Sequence, residues 1–228
     1  MTAVTIFRDL RPDLGEARNQ GPRPTCLAFA VSDTHAALRS GWSPLSCEFV
    51  FYQAQRRAGR TPDNGATLSA MLATLREEGQ PEEIGWPYLA ETPTDSTLWS
   101  PPAEVGPRFG RAGASYSLAI DAIIGELDEK RPVILLLMLS RSFYMPSPEG
   151  VIRPATGEAP EPARRHAVIA VGHGTFEGER AILVRNSWGL GWGVAGHGWL
   201  TEGFIAPRLF AAALLTEDVD VSARSLAA

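Results

Sequence analysis

Cys26 is a residue whose type and position could support covalent chemistry. It follows the breaker-rich segment GPRPT at 21–25 and begins a stretch with helical periodicity. At a helix N-terminus, the unpaired N–H groups and the helix dipole stabilise a thiolate, which is the nucleophilic form of cysteine. The alternative is a cysteine that fills a core, which is a common role for this residue. A general base in the same site would favour the first interpretation.

Four histidines could supply that base: His35, His166, His173 and His197. His166 opens the apolar segment HAVIAV directly after a proline-rich loop, so its side chain can project from a rigid strand. His35 lies within a predicted helix and is expected to be structural or exposed. His173 and His197 lie in glycine-rich segments, which are typical of exposed turns. His166 is therefore the predicted base.

A metal site is the main competitor, because cysteine and histidine also bind zinc. The chain contains neither a Cys-x-x-Cys nor a His-Glu-x-x-His motif. His166 and His173 are seven positions apart, and this odd offset directs their side chains to opposite faces of a continuous strand. We therefore expect no metal and no cofactor.

Asn186 ends a predicted strand directly before Trp188 and a glycine-rich segment. Its amide oxygen could accept a hydrogen bond from an imidazole, while the indole of Trp188 shields that bond from water. Most asparagines at strand ends only start turns, so this position alone leaves a structural role open.

Several motifs follow one another in order: NQG at 19–21, CLAFA at 26–30, HAV at 166–168, VGHG at 171–174, NSWG at 186–189 and GWG at 191–193. Their order, and the separation of six residues between Gln20 and Cys26, resemble the papain family of cysteine peptidases. The resemblance extends from about Phe7 to the predicted strand around Trp199. The segment DNGA at 63–66 looks like the part of the family that pairs with an extended substrate.

The resemblance implies a role for each matching residue. Cys26 would attack the scissile carbonyl as a thiolate, and His166 would form an ion pair with it and protonate the leaving amine. Asn186 would orient His166. The Gln20 side chain and the Cys26 backbone N–H would form the oxyanion hole. The implied substrate-binding residues, on the main-chain pairing segment and beside the histidine, are Gly65, Ala66, Trp188 and Arg165.

The chain departs from the family around the nucleophile. Arg23 stands where the family has the cysteine of a loop-closing disulfide, so Cys26 and Cys47 are expected to remain thiols in a reducing compartment. The mature-type domain begins within ten residues of Met1. These features predict a bacterial-type member without a propeptide, controlled instead by a separate inhibitor or activating partner.

Charge and hydropathy exclude other classes of function. The chain has 21 basic and 26 acidic residues, and its net charge of −5 argues against binding to nucleic acid or to an anionic membrane. The longest apolar run, Val133–Leu139, falls short of the ~18 residues that a membrane span needs. The N-terminus lacks the pattern of a secretory signal. We expect a cytoplasmic protein, or one exported without a classical signal peptide.

Periodicity predicts the elements that position these residues. Helices are expected from Cys26 to Gly41, from Ser43 or Ser46 to Gly59, over Leu68–Leu75 with Gly79 as cap, and over Ser117–Lys130. Strands are expected at 133–139, 166–171 and 181–184, with a turn at Gly172–Gly178. Two proline-rich stretches, 81–113 and 141–165, are predicted to be long loops.

This order of elements favours α+β, and the resemblance makes it papain-like: a helical left half, an antiparallel β-barrel-like right half, and an active-site cleft between them. The predicted catalytic domain spans 1–215, with halves at about 10–110 and 111–215, and 216–228 is a predicted frayed tail. The predicted function is a cysteine endopeptidase acting on protein or peptide substrates. The alternatives are another acyl transfer (deamidation, transglutamination or deconjugation) and a catalytically silent binding module.

Overall fold

The computed structural model describes residues 3–221. These divide into two units, a helical unit of residues 20–114 with 215–221 and a β-rich unit of residues 3–19 with 115–214. Along the chain the elements are β1 (Thr5–Asp9), α1 (Cys26–Ala37), α2 (Cys47–Ala58), α3 (Leu68–Glu77), β2 (Gln80–Pro81), β3 (Arg108–Ser115), α4 (Ile120–Asp128), β4 (Val133–Met138), β5 (Val151–Ile152), β6 (Arg165–Phe176), β7 (Glu179–Arg185), β8 (His197–Thr201), α5 (Glu202–Ile205) and β9 (Leu209–Val219).

The helices of the helical unit begin where the sequence predicts, although α1 ends at Ala37, before the predicted stop at Gly41. The hydroxyl of Ser46 caps α2 by accepting the N–H of Phe49 at 3.0 Å, and α2 ends at Gly59, whose φ of +61° suits glycine. Thr67 caps α3 in the same way. The longest helices, α1 and α2, have 12 residues each. Nothing between residues 3 and 221 forms a helix long and apolar enough to cross a membrane.

The predicted loop at 81–113 holds more structure than its prolines indicate. Strand β2 pairs antiparallel with β3, with Gln80 opposite Phe109. Between these strands, the buried rings of Trp86 and Trp99 pack edge-on against Tyr52 of α2, at centroid distances of 5.5 and 5.0 Å. The irregular backbone is therefore anchored to the helices by aromatic packing.

The β-rich unit is built on one sheet with the strand order β9–β4–β6–β7–β8–β5, and β1 pairs with β6. All of these pairs are antiparallel except β5 with β8. The predicted strand at 133–139 is β4, whose residues are mostly buried, as an unbroken apolar run requires. The fold is thus α+β, as predicted.

Residues 3–19 belong to the β-rich unit, so the predicted start of the helical half near residue 10 is wrong. Strand β1 pairs with β6, and the N–H of Leu10 donates to the carbonyl of Val171 at 2.8 Å. Backbone hydrogen bonding to a distant strand outweighs proximity in sequence here.

The predicted turn at Gly172–Gly178 is too long, because β6 continues to Phe176 and the turn to β7 is confined to Glu177 and Gly178. The glycines of β6 lie against the backbone of β1, where a Cβ on Gly172 would stand 2.5 Å from the carbonyl oxygen of Arg8. The glycines thus permit close strand packing rather than a turn. At the other end of the chain, β9 runs to Val219, so the predicted frayed tail is wrong for 216–219, and 222–228 lie outside the described residues.

Candidate active site

Cys26 is the first residue of α1, as predicted, and it is half-buried. No acidic residue lies in the first turn of this helix. The positive end of the helix dipole is therefore not offset by a carboxylate of its own turn, which favours a thiolate. The second thiol, Cys47, is fully buried at the start of α2.

Gln20 lies upstream of Cys26 in the same unit, with its side chain buried. Its Nε2 donates to the carbonyl oxygen of Arg23 at 2.8 Å, and the same oxygen accepts the N–H of Thr25 at 2.9 Å. Because a carbonyl only accepts, this contact fixes which end of the Gln20 amide is the NH₂ group. One hydrogen of this NH₂ group therefore points to the Arg23 carbonyl oxygen. The planarity of the amide then sets the direction of the second hydrogen.

Arg23, at the position of the missing family cysteine, forms a buried ion pair. Its guanidinium donates to both carboxylate oxygens of Glu48, at 2.6 and 3.0 Å, and both side chains are fully buried. Its Nη1 also donates to the carbonyl oxygen of Leu89 at 2.6 Å. The loop before the nucleophile is therefore joined to α2 by a bidentate salt bridge, while Cys26 and Cys47 are held as thiols rather than as a disulfide.

His166 lies near the start of β6 with its ring buried, and Asn186 follows the end of β7. The distance from His166 Nε2 to Asn186 Oδ1 is 2.7 Å, and Oδ1 also accepts the N–H of Ser187 at 2.8 Å. A backbone N–H only donates, so the atom facing it is the amide oxygen, and His166 must donate its Nε2 hydrogen to that oxygen. The neutral imidazole then carries its lone pair on Nδ1, as a general base requires.

Burial lowers the pKa of His166 to about 4, although its hydrogen bond to Asn186 acts in the opposite direction. The imidazole is therefore neutral at pH 7 unless a negative charge faces it. A neutral imidazole with a fixed tautomer can accept a proton at Nδ1, and a thiolate beside it would stabilise the resulting cation.

Aromatic rings surround the His166–Asn186 hydrogen bond. The ring of Trp188 lies 4.7 Å from that of His166, and Phe143 contacts the imidazole edge-on at 5.8 Å. Tyr144 stacks on Trp188 at 5.4 Å, and the indole of Trp192 donates to the carbonyl of Phe143 at 3.0 Å. The predicted shielding by Trp188 is thus one part of a larger aromatic cluster.

Phe143 and Tyr144 are site residues that the sequence analysis missed. They lie in a 3₁₀ turn, Arg141–Tyr144, inside the predicted loop at 141–165. The proline spacing of this loop gives no sign of their contacts, because those depend on where the loop folds back. The aromatic pair itself, following a strand and preceding the histidine, is the available signal.

Glu158 joins this turn to a later part of the same loop. Its carboxylate accepts the N–H groups of Ser142 and Ala155, each at 2.7 Å, and the hydroxyl of Ser142 at 2.5 Å. Burial raises the pKa of Glu158, but these hydrogen bonds outweigh it and lower the value to about 2. Below the turn, the buried Arg208 donates to Ser140 Oγ at 2.8 Å. The long loop is therefore ordered by polar contacts.

The predicted substrate-binding residues lie on accessible parts of their units. Gly65 and Ala66 follow α2 in a loop, and Gln55 donates to two carbonyls of that loop, those of Thr61 and Asn64, at 2.7 and 2.5 Å. Arg165 is exposed, with its guanidinium 5.4 Å from the centre of the Phe210 ring. Their roles stay predictions.

The other histidines are structural, and two of them correct the sequence analysis. His173 is buried in β6 and lies 2.8 Å from Asp128 Oδ1, and His197 is buried at the start of β8, where its Nδ1 contacts the carbonyl of Ala195 at 2.8 Å. The prediction that both lie in exposed turns is wrong, because their flanking glycines lie in strands or next to them. His35 is buried in α1 against Gln80, which agrees with the structural option. Within residues 3–221, His, Cys, Asp and Glu side chains form no group of three or more suited to a metal ion.

The structure thus groups the sequence-predicted catalytic residues in two sets. The β-rich unit brings together His166 and Asn186, with the ring of Trp188 beside the imidazole, and the helical unit places Gln20 and Cys26 at the two ends of one short loop. The catalytic roles of these residues stay predictions.

Comparisons with known proteins identify relatives that match most of the chain. The sequence matches the model of the family described as papain family cysteine protease over residues 45–205, a span that contains His166 and Asn186 and begins after Cys26. It is 28% identical over 204 residues to a cysteine protease of Blomia tropicalis, covering 83% of this chain and 58% of that protein. It is 27% identical over 188 residues to cysteine proteinase 1 of Entamoeba histolytica, covering 79% of this chain and 58% of that protein.

Solved structures show the same fold. The crystal structure of xylellain, a cysteine protease from Xylella fastidiosa, superposes with a TM-score of 0.77 at 21% identity, covering 94% of this chain and 87% of that one. The clostridial cysteine protease Cwp84 gives a TM-score of 0.74 at 18% identity, covering 91% of this chain and 56% of that one. The chain spans about 58% of the length of the curated relatives named above.

Proposed function

The chain belongs to the papain family of cysteine peptidases, and from that premise we propose that it hydrolyses peptide bonds of extended protein substrates through Cys26, His166 and Asn186. The observation that carries this proposal is the hydrogen bonding at Asn186. Its Oδ1 accepts from both Ser187 and His166, which leaves the Nδ1 lone pair of a buried imidazole as the base.

In the first step, the thiol of Cys26 transfers its proton to Nδ1 of His166. The thiolate gains from the N-terminal N–H groups of α1. The imidazolium gains from the thiolate charge, which offsets the desolvation that otherwise lowers the pKa of His166 to about 4. The two groups therefore titrate as a pair rather than separately.

In the acylation step, the sulfur of Cys26 forms a bond to the scissile carbonyl carbon, and the carbonyl π electrons move onto its oxygen. The second amide hydrogen of Gln20 and the backbone N–H of Cys26 stabilise this oxyanion. When the intermediate collapses, the C–N bond breaks and the imidazolium of His166 gives its proton to the leaving amine. The product is a thioester on Cys26 and a free amine.

In the deacylation step, His166 takes a proton from water as the water oxygen attacks the thioester carbonyl. Collapse of the second oxyanion breaks the C–S bond, and the proton on His166 returns to the sulfur. The net reaction adds one water across one peptide bond. An extended substrate would lie along Gly65 and Ala66 in β-like pairing, and Trp188 and Arg165 would face its leaving-group side.

The proposal is tested by labelling Cys26 with a peptide vinyl sulfone and measuring the intact mass, together with turnover of peptide substrates. Cys47 is a poor comparison because its full burial alone would protect it. A matched comparison uses a Cys47→Ala background and measures iodoacetamide labelling of Cys26 at pH 6 with and without His166→Ala. We expect labelling at pH 6 to fall by about tenfold or more in His166→Ala, because an unassisted thiol has a pKa near 8.5.

Equal labelling rates at pH 6 in both variants would contradict the assignment of His166 as the base. Vinyl sulfone labelling without hydrolysis of any peptide would contradict a peptidase and favour another acyl transfer. Absence of labelling in the parent protein would contradict an active nucleophile.

A further inference from the structure

Tyr88 contacts both ends of the loop that joins Gln20 to Cys26. We propose that Tyr88 is a positioning residue that holds the two oxyanion-binding groups of this site in register. The inference rests on the function proposed above, because it assigns those groups to the Gln20 side chain and the Cys26 backbone. It concerns how the loop is held and adds no group that touches the substrate.

The hydroxyl of Tyr88 lies 2.7 Å from the carbonyl oxygen of Gln20 and 2.8 Å from Oγ1 of Thr25. A phenol has one hydrogen, and the Gln20 carbonyl can only accept, so Tyr88 donates to Gln20 and accepts from Thr25. The hydroxyl of Thr25 is therefore used in this contact and does not cap α1. One atom thus connects the residue carrying the first oxyanion donor with the residue directly before the second.

The ring of Tyr88 is itself fixed from several sides. Its edge packs against Phe29 of α1 at 4.8 Å, and the guanidinium of Arg23 lies 5.0 Å from its centre. The backbone N–H of Tyr88 donates to the carboxylate of Glu83 at 2.9 Å. The next residue, Leu89, donates to Glu48 at 3.1 Å and accepts from Arg23 at 2.6 Å. The buried ion pair therefore holds the backbone around Tyr88 as well as the loop.

This arrangement matters because an oxyanion donor works only when it is placed accurately. Functional groups must be held within about 0.5 Å of the productive geometry, and a neighbouring shell of contacts provides that accuracy. Loss of the Tyr88 hydroxyl would remove its hydrogen bonds to Gln20 and Thr25, while the ring would keep its packing on Phe29 and Arg23. Tyr88→Phe is consequently the variant that isolates the positioning role.

We expect Tyr88→Phe to lower kcat by about tenfold, part of the ~100-fold loss expected when a donor itself is removed. KM should change by less than about twofold, because the loss falls on the transition state. Iodoacetamide labelling of Cys26 should stay within about twofold of the parent, because alkylation forms no oxyanion. In a Gln20→Ala background the same substitution should lower kcat by a much smaller factor, because the donor that Tyr88 positions is already absent.

The matched control is Tyr116→Phe, which removes a hydroxyl that donates to Glu126 at 2.6 Å and should leave kcat unchanged. An unchanged kcat in Tyr88→Phe would overturn the inference, as would a full additional loss in the Gln20→Ala background. Parallel loss of labelling and turnover would also overturn it, by showing that the contact holds the nucleophile. A parent protein that hydrolyses no peptide would instead contradict the proposed function, so the two failures are distinguishable.

Discussion

At the scale of single residues, one amide oxygen sets the tautomer of His166. Asn186 Oδ1 accepts from the N–H of Ser187 and from Nε2 of His166 at 2.8 and 2.7 Å. The first contact forces the orientation of the amide, and the second forces the tautomer of the imidazole. The backbone N–H of Ser187 therefore determines which nitrogen of His166 can accept a proton. It acts through two hydrogen bonds that share Asn186 Oδ1.

Asn186→Ala removes this acceptor, and we expect kcat to fall by about 10- to 100-fold, part of the roughly 10²- to 10⁴-fold that a well-positioned general base contributes. Asn186→Asp keeps an oxygen for both donors and should retain most of the activity. Measurement of kcat for both variants at pH 7 checks this. An equal loss in the two variants would contradict the argument from the tautomer, because only the alanine variant lacks the acceptor.

Sequence reasoning selects His166 among four histidines because it opens an apolar segment, and the structure places it near the start of β6. A histidine at the start of an apolar strand is carried by a rigid element, and it is buried there. The same reasoning fails for His173 and His197, because glycine has two uses. It permits a turn, and it also permits two backbones to approach closely, as Gly172 does against Arg8. Only the partner strand distinguishes these uses.

At the scale of elements, helices were predictable where their signals are local. Ser46 and Gly59 mark both ends of α2, and each acts through residues a few positions away. Strands β3 and β9 were missed because each is defined by pairing with a segment far along the chain. The turn that carries Phe143 and Tyr144 was missed for the same reason, since its position depends on hydrogen bonds to Glu158.

At the same scale, the buried Arg23–Glu48 pair joins the loop before Cys26 to α2, and its removal should lower the stability of the fold. Arg23→Met leaves the carboxylate of Glu48 buried with only the N–H groups of Leu89 and Trp99, at 3.1 and 2.7 Å. We expect the free energy of unfolding in urea to fall by about 3–5 kcal/mol. The double variant Arg23→Met/Glu48→Gln should recover part of this loss, because a neutral amide replaces the unpaired charge.

The matched control for this prediction is Arg57→Met, which breaks exposed pairs with Glu77 and Glu78 and should cost less than about 1 kcal/mol. Dithiothreitol should leave the unfolding midpoint of the parent unchanged, since the two cysteines are held as thiols. Similar losses of unfolding free energy in Arg23→Met and Arg57→Met would show that the buried pair does not stabilise the loop.

At the scale of the whole molecule, each unit exchanges a terminal segment with the other: the N-terminal segment and the C-terminal segment each belong to the unit that does not directly adjoin them in sequence. Residues 3–19 join the β-rich unit and residues 215–221 join the helical unit, so each unit is built from two separate segments. The helical and strand-rich halves were predictable from periodicity, but this exchange was not. It arises from the pairing of β1 with β6, which no local pattern near Thr5–Asp9 encodes.

A property of the whole molecule follows from histidines buried in both units. Burial lowers the pKa values of His35, His166 and His197 to about 4 each, from an ordinary value near 6.5. Between pH 6.5 and pH 4 the unfolded chain therefore binds protons at these positions that the folded chain does not. Stability rises with pH where the unfolded state binds more protons, so it must fall as the pH is lowered through this window.

As the pH is lowered from 7 to 5, we expect the free energy of unfolding to fall by about 2 kcal/mol for each of these histidines. Urea unfolding at several pH values checks this, in a Cys26→Ala background so that the chain cannot cleave its own unfolded form. His35→Leu removes one titrating group in the helical unit and should reduce the loss between pH 7 and pH 5 by about 2 kcal/mol. Equal losses with and without His35 would contradict the argument, because they would mean that His35 takes up its proton equally in the folded and unfolded chain.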